Sequence, residues 1–139
     1  MSKFHSSLRR LLYVLRSVCL WLTAGLFILA GLNHFISPDF YIQMIPDGWP
    51  QPRWLVFVSG FFEILGGAGL LLQRIRKAAG YGLIALLIAV FPANVHMAMH
   101  ADRYDAFSQT GLIARLPLQA VLIALVWWVA CSKRKHDVE

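Results

Sequence analysis

Charge is scarce in this chain. Only 14% of its 139 residues are Asp, Glu, Lys or Arg, and only seven of them are acidic, while 58% are hydrophobic. Soluble domains carry about a quarter charged residues, so a water-facing shell around one core is excluded. Cysteine is scarce as well. Cys19 and Cys131 are far apart and form no C-x-x-C pair, which argues against a thiol–disulfide relay of the usual kind. There is no CxxCH haem motif, P-loop or Gly-rich dinucleotide loop, so no intrinsic cofactor is expected. The net charge of +6 does not point to nucleic acid, because no basic stripe is interleaved with exposed aromatics.

What the chain does contain is apolar sequence in four blocks. The expected fold class is an all-α, integral membrane four-helix bundle forming one domain, with the lipid bilayer as its partner. The helices are expected at about residues 16–36, 54–72, 78–99 and 110–130. The basic start MSKFHSSLRR before an apolar run could be a signal peptide. The best cleavage candidate, after Ala30 with Ile28 before it, is a poor match, so a retained first helix is expected. Between the first two blocks, SPDFYIQMIPDGWPQPR breaks the pattern. Ser37 can cap and Pro38 suits a first helical position, so a short interfacial helix is expected at 39–45. Phe40, Tyr41, Trp49 and Trp54 would form its aromatic belt.

The tight turn QRIRK makes the second and third helices antiparallel neighbours. Pro92 should kink the third. The fourth has only 15 clearly apolar residues, 116–130. Counting back about 20 residues from its Trp127–Trp128 belt starts it near Gln109 and puts Arg115 inside the membrane region. The tail SKRKHDVE is polar and expected to be disordered.

The basic residues are distributed unevenly. Lys3, Arg9, Arg10, Arg16, Arg74, Arg76, Lys77, Lys133, Arg134 and Lys135 flank one set of helix ends, whereas Arg53, Arg103 and Arg115 belong to the other. The positive-inside rule then places both termini in the cytoplasm.

Polar residues inside the apolar blocks are the functional candidates, because they are expensive at membrane depth. Glu63 stands alone in SGFFEILGGAGLLL, about 13 Å in from Trp54 by helical rise. Gly and Ser residues surround it at helical spacing, as close helix packing requires. The expected topology puts His34, Glu63, Asn94 and Arg115 at comparable depth on four helices, with Asn33, His96 and Gln119 as weaker candidates. Bundles build sites from such facing groups. The plainer alternative is structural, with Arg115 pairing with Glu63 to fix helix packing. His96 and His100, four apart, share a helical face as zinc ligands do, with Met97 and Met99 beside them. A metal is not the favoured reading.

Three stretches, AGLNHFISPDFYIQMIP, SGFFEILGGAGLLL and VFPANVHMAM, together resemble the DoxX-like family of small four-helix bacterial membrane proteins. That resemblance implies a multi-pass protein of a bacterial inner membrane, with polar membrane residues at His34, Glu63 and Asn94. It also implies partnership with redox proteins, since the family takes its name from a subunit of a quinone-linked system. The chain lacks the paired extracytoplasmic cysteines of the group's thiol-chemistry branch. The leading expectation is therefore a membrane subunit of a redox complex, not an enzyme on its own. Quinone would be a borrowed ligand whose protons His34 and Glu63 exchange. The alternatives are a binding or transport module for a small apolar molecule, which a homodimer could complete, and an assembly factor with a purely structural polar cluster.

Overall fold

The computed structural model describes residues 2–104 and 108–132, with side chains from residue 7 onward. Helices α1 (Ser2–Ile36), α2 (Pro38–Ile42), α3 (Pro52–Leu71), α4 (Arg76–Met99) and α5 (Gln109–Val126) follow in order. A 3-10 turn at Ala101–Arg103 follows α4, and a π-helical turn at Trp127–Cys131 extends α5. No strand occurs among the described residues. Four segments, Ser7–Ile36, Pro52–Leu71, Arg76–Met99 and Gln109–Cys131, are long and apolar enough to cross a membrane. Asp105, Lys133, Arg134, Lys135 and the expected disorder of the tail lie outside the described residues.

The first helix begins at Ser2 rather than near residue 16. Its 35 residues extend about 52 Å at 1.5 Å each, well beyond ~30 Å of hydrocarbon. The stretch before Arg16 contains no Gly or Pro, so an established helix propagates through it. The short helix ends earlier than expected, at Ile42. Met44 and Ile45 donate to the carbonyls of Tyr41 and Ile42 in tight i→i−3 turns, and Pro46 prevents continuation. Ser37 makes no side-chain cap; Pro38 at the first helical position sets the start. Ser108 does cap α5, accepting from the Gly111 amide at 3.1 Å. Pro117 lies within α5, a second helix-internal proline that sequence reading left aside.

Helix α1 packs along α3, α3 on α4, and α4 on α5. Glycine sets the separation. A Cβ on Gly60 would stand 2.8 Å from the Gly31 carbonyl, and one on Gly67 would stand 2.8 Å from the Ala24 carbonyl. The backbones of α1 and α3 therefore meet directly, as small-residue packing between apolar helices allows. Gly66 and Gly69 face the other way, toward Leu83 and Ala79 of α4.

One end of the assembly is tied by basic side chains. Arg16 donates to the carbonyls of Val129 (3.3 Å) and Ser132 (3.0 Å), and Arg76 donates to the Leu70 carbonyl (2.7 Å). Both guanidinium groups satisfy carbonyls that a helix C-terminus leaves without partners. The main core lies toward this end, built from Leu20, Ala24, Phe27, Leu70, Leu83, Val126 and Val129. Many large apolar side chains point outward instead: Leu22 and Leu29 are each 68% exposed and Ile36 is 77% exposed. Exposed apolar side chains this large and numerous are compatible with a lipid surround.

Candidate functional site

The end opposite the core holds the polar groups. His34, in the last turn of α1, is buried. It faces Glu63 of α3 across the Gly31–Gly60 crossing, with Nδ1 3.6 Å from Oε2. That separation brings two titratable groups together but is too long for a good hydrogen bond. Neither atom has a hydrogen-bond partner, and both are sealed from solvent. Close packing fixes the geometry: a Cβ on Gly60 would lie 2.6 Å from the His34 Cβ and 3.0 Å from its Nδ1.

Tyr41 closes this pair from the side of α2. Its ring meets the His34 imidazole edge-on with centroids 3.8 Å apart, and its hydroxyl accepts a hydrogen bond from Asn33 Nδ2 at 2.9 Å. The exposed Asp39–Arg53 ion pair, 2.9 Å, joins α2 to the first turn of α3. Sequence reading assigned Tyr41 only to an aromatic belt. No periodicity extends across the Pro38 break, so the sequence carried no signal that brings Tyr41 to Asn33 and His34.

Arg115 does not pair with Glu63: the acid–base contacts within 4 Å among the described residues are His34–Glu63, an ion pair only with the histidine protonated, and Asp39–Arg53. The Arg115 guanidinium instead approaches the Met44 sulfur at 3.5 Å and stands within electrostatic range of Tyr41.

The remaining candidates fall into separate sets. Asn94 Nδ2 donates to Gln119 Oε1 at 2.9 Å, and Gln119 Nε2 in turn donates to the Leu87 carbonyl. This chain joins α4, which runs unbroken through Pro92, to α5, so Asn94 and Gln119 satisfy one another rather than Glu63. His96 contacts the Tyr104 hydroxyl at 3.3 Å and stacks on His100, with centroids 4.3 Å apart. His100 Nδ1 donates to the His96 carbonyl (3.0 Å). Among the described residues, no three His, Cys, Asp or Glu side chains are grouped as metal ligands would be.

An all-helical chain with four membrane-length apolar segments and a buried His–Glu pair at one helix crossing is the class these observations define. The chain belongs to a family described as a domain of unknown function, DUF8561, which matches residues 23–130. Neither a curated protein nor a solved structure matches it. The DUF8561 match overturns the DoxX-like resemblance. The three stretches behind that resemblance consist of glycine pairs, a helix-end proline and interfacial aromatics. Any small bundle of close-packed membrane helices needs those residue types, so their order did not discriminate between families. The bacterial inner membrane and the redox partners implied by that resemblance lose its support.

Proposed function

We propose that this is a multi-pass membrane protein with both termini on the cytoplasmic side. In this reading the half of the bundle away from the termini binds a small apolar molecule with a phenolic or quinol-like head. Ten of the 13 basic residues flank the helix ends at the termini and the α3–α4 turn, which supports the orientation by the positive-inside rule. His34 and Glu63 then lie in the outer half of the membrane.

One observation carries the ligand reading. The site already holds a phenol: the Tyr41 ring rests against the His34 imidazole, and its hydroxyl is hydrogen-bonded by Asn33. A quinol head offers the same ring and hydroxyl chemistry and can take the place of Tyr41 when the short α2 moves aside. The unpartnered Nδ1 of His34 and Oε2 of Glu63 then gain a hydroxyl to bond and a proton to exchange. An imidazole and a carboxylate are suited to that role near neutral pH. No electron transfer is assigned to this chain, and it acts as a binding subunit rather than an enzyme alone.

The test is binding of a short-chain benzoquinol to the full chain in maltoside micelles, followed by tryptophan quenching. Saturable binding that weakens at least tenfold in both Glu63→Gln and His34→Gln, with melting temperatures near that of the parent, supports the reading. Absent binding, or equal binding by Glu63→Gln, refutes it. A purely structural role is the second reading, favoured by the Gly31–Gly60 contact that packs the pair so tightly. In that case both variants lower the melting temperature, and the chain takes up no quinol.

A further inference from the structure

A concavity lies at the same end of the molecule, and neither His34, Glu63 nor Tyr41 lines it. It is a half-open cleft of about 490 Å³ between the segment after α2 and the end of α4. That volume falls within the range of small-ligand sites. Its walls differ in character. Ile42 and Ile45 form an apolar side, His96 and Tyr104 contribute polar ring groups, and Asp47 and Arg103 bring opposite charges to the rim.

The two charges do not neutralise each other. Asp47 and Arg103 form no ion pair within 4 Å and no side-chain hydrogen bond among the described residues. Both are exposed, yet both act on the same Tyr104 phenol. Opposite charges that share a cleft and stay apart fit a ligand carrying both signs, since each can then pair across the cleft. A purely anionic ligand would meet Asp47, and a purely cationic one would meet Arg103. The cleft sits at helix ends, where the proposed membrane placement puts lipid headgroups.

We propose that this cleft binds a small zwitterion of the phosphoethanolamine type, with the phosphate toward Arg103 and the ammonium toward Asp47. The Tyr104 hydroxyl adds a neutral hydrogen bond, and Ile42 and Ile45 cover the adjoining carbon chain. The inference rests on the proposed membrane placement but not on quinol binding, so either can fail without the other.

The experiment uses the full chain in a neutral maltoside and measures dissociation constants by calorimetry. The probes are glycerophosphoethanolamine and phosphatidylethanolamine, with glycerophosphoglycerol and phosphatidylglycerol as their anionic counterparts. The ethanolamine compounds are expected to bind about fivefold or more tightly than the glycerol ones, as one additional exposed ion pair allows. Asp47→Asn should abolish that preference, and Arg103→Gln should weaken all four ligands. Both side chains are exposed, so the melting temperature without ligand should not change. Binding of the free headgroup compound identifies a site for soluble zwitterions, and binding of the lipid alone identifies a lipid site; either outcome supports the proposal. Equal affinity for the glycerol compounds, a preference that survives Asp47→Asn, or no binding at all overturns it.

Discussion

His34 Nδ1 lies 3.6 Å from Glu63 Oε2, and neither atom has a hydrogen-bond partner. The pair sits where α1 and α3 come closest. Two ionisable groups with an unfilled hydrogen-bonding capacity are a poor way to hold two helices together. Replacing such a pair with apolar side chains is often neutral or stabilising. Glu63→Leu alone breaks no hydrogen bond, because His34 Nδ1 already lacks a partner, and should change stability by less than about 1 kcal/mol. The double variant His34→Leu/Glu63→Leu, which removes both buried polar groups, should be at least as stable as the parent. Thermal unfolding in detergent for the full double-mutant cycle reads this directly. A double variant less stable than either single one would show that the pair is a net structural asset.

Gly60 gives a second measure of the same crossing. An added methyl group there meets the His34 Cβ at 2.6 Å and the Gly31 carbonyl at 2.8 Å, and a backbone carbonyl cannot rotate away. Gly60→Ala should cost about 1–3 kcal/mol through overpacking. Gly82, on α4, has nothing within 4 Å of the equivalent position. Gly82→Ala should instead stabilise the helix by up to about 1 kcal/mol. Melting temperatures of the two variants, measured side by side, should move in opposite directions.

The architecture was more legible in the sequence than the site. Four apolar blocks, the tight turn before Lys77 and the start of the last helix near Gln109 follow from run length and breaker residues, and these are local signals. Which polar side chains meet is a question of rotation about each helix axis. Depth alone put Asn94 and Arg115 beside Glu63. Rotation turns Asn94 toward Gln119 on α5, and Arg115 toward Met44 in the turn after α2. The apolar pattern carries little rotational information, because outward-facing and buried positions are both apolar. Tyr41 was missed for a related reason: the Pro38 break folds it back onto His34, and no periodicity extends across a break.

Asn94 and Gln119 should behave as packing residues, distinct from the His34 site. Asn94→Leu leaves the buried Gln119 Oε1 without its donor, which should cost about 1–3 kcal/mol. Quinol affinity should stay within about twofold of the parent when measured well below the melting temperature. Loss of affinity with unchanged stability would place Asn94 in the ligand site instead.

Arg16 supplies two of the contacts that close the opposite end of the fold, to the carbonyls of Val129 and Ser132. Arg16→Met keeps much of the side-chain length but removes the donors. The π-helical turn Trp127–Cys131 should then open, with faster amide exchange and protease cleavage after Trp127 or Trp128. Hydrogen bonds from charged groups are worth about 1.5–3 kcal/mol each when partly buried, so global stability should also fall measurably. Unchanged exchange in residues 127–132 would remove Arg16 as the clasp.

Tyr104 offers a pH-dependent readout outside the spanning segments. Burial raises its phenol above the ordinary value of 10.0, Asp47 raises it further, and Arg103 opposes them. A raised pKa in the folded state means that the folded chain holds this proton where the unfolded chain has lost it. Stability is therefore unaffected by Tyr104 below about pH 10 and declines as pH climbs from the unfolded value toward the folded one. The difference in phenolate absorbance between the parent and Tyr104→Phe isolates this group from Tyr13, Tyr41 and Tyr81. Asp47→Asn should shift its titration to lower pH, and Arg103→Gln should shift it to higher pH. Shifts in these opposite directions would establish that both charges act within one cleft, the arrangement that zwitterion binding requires. If neither variant moves the titration, Asp47 and Arg103 do not share the cleft with Tyr104 in the full chain in micelles.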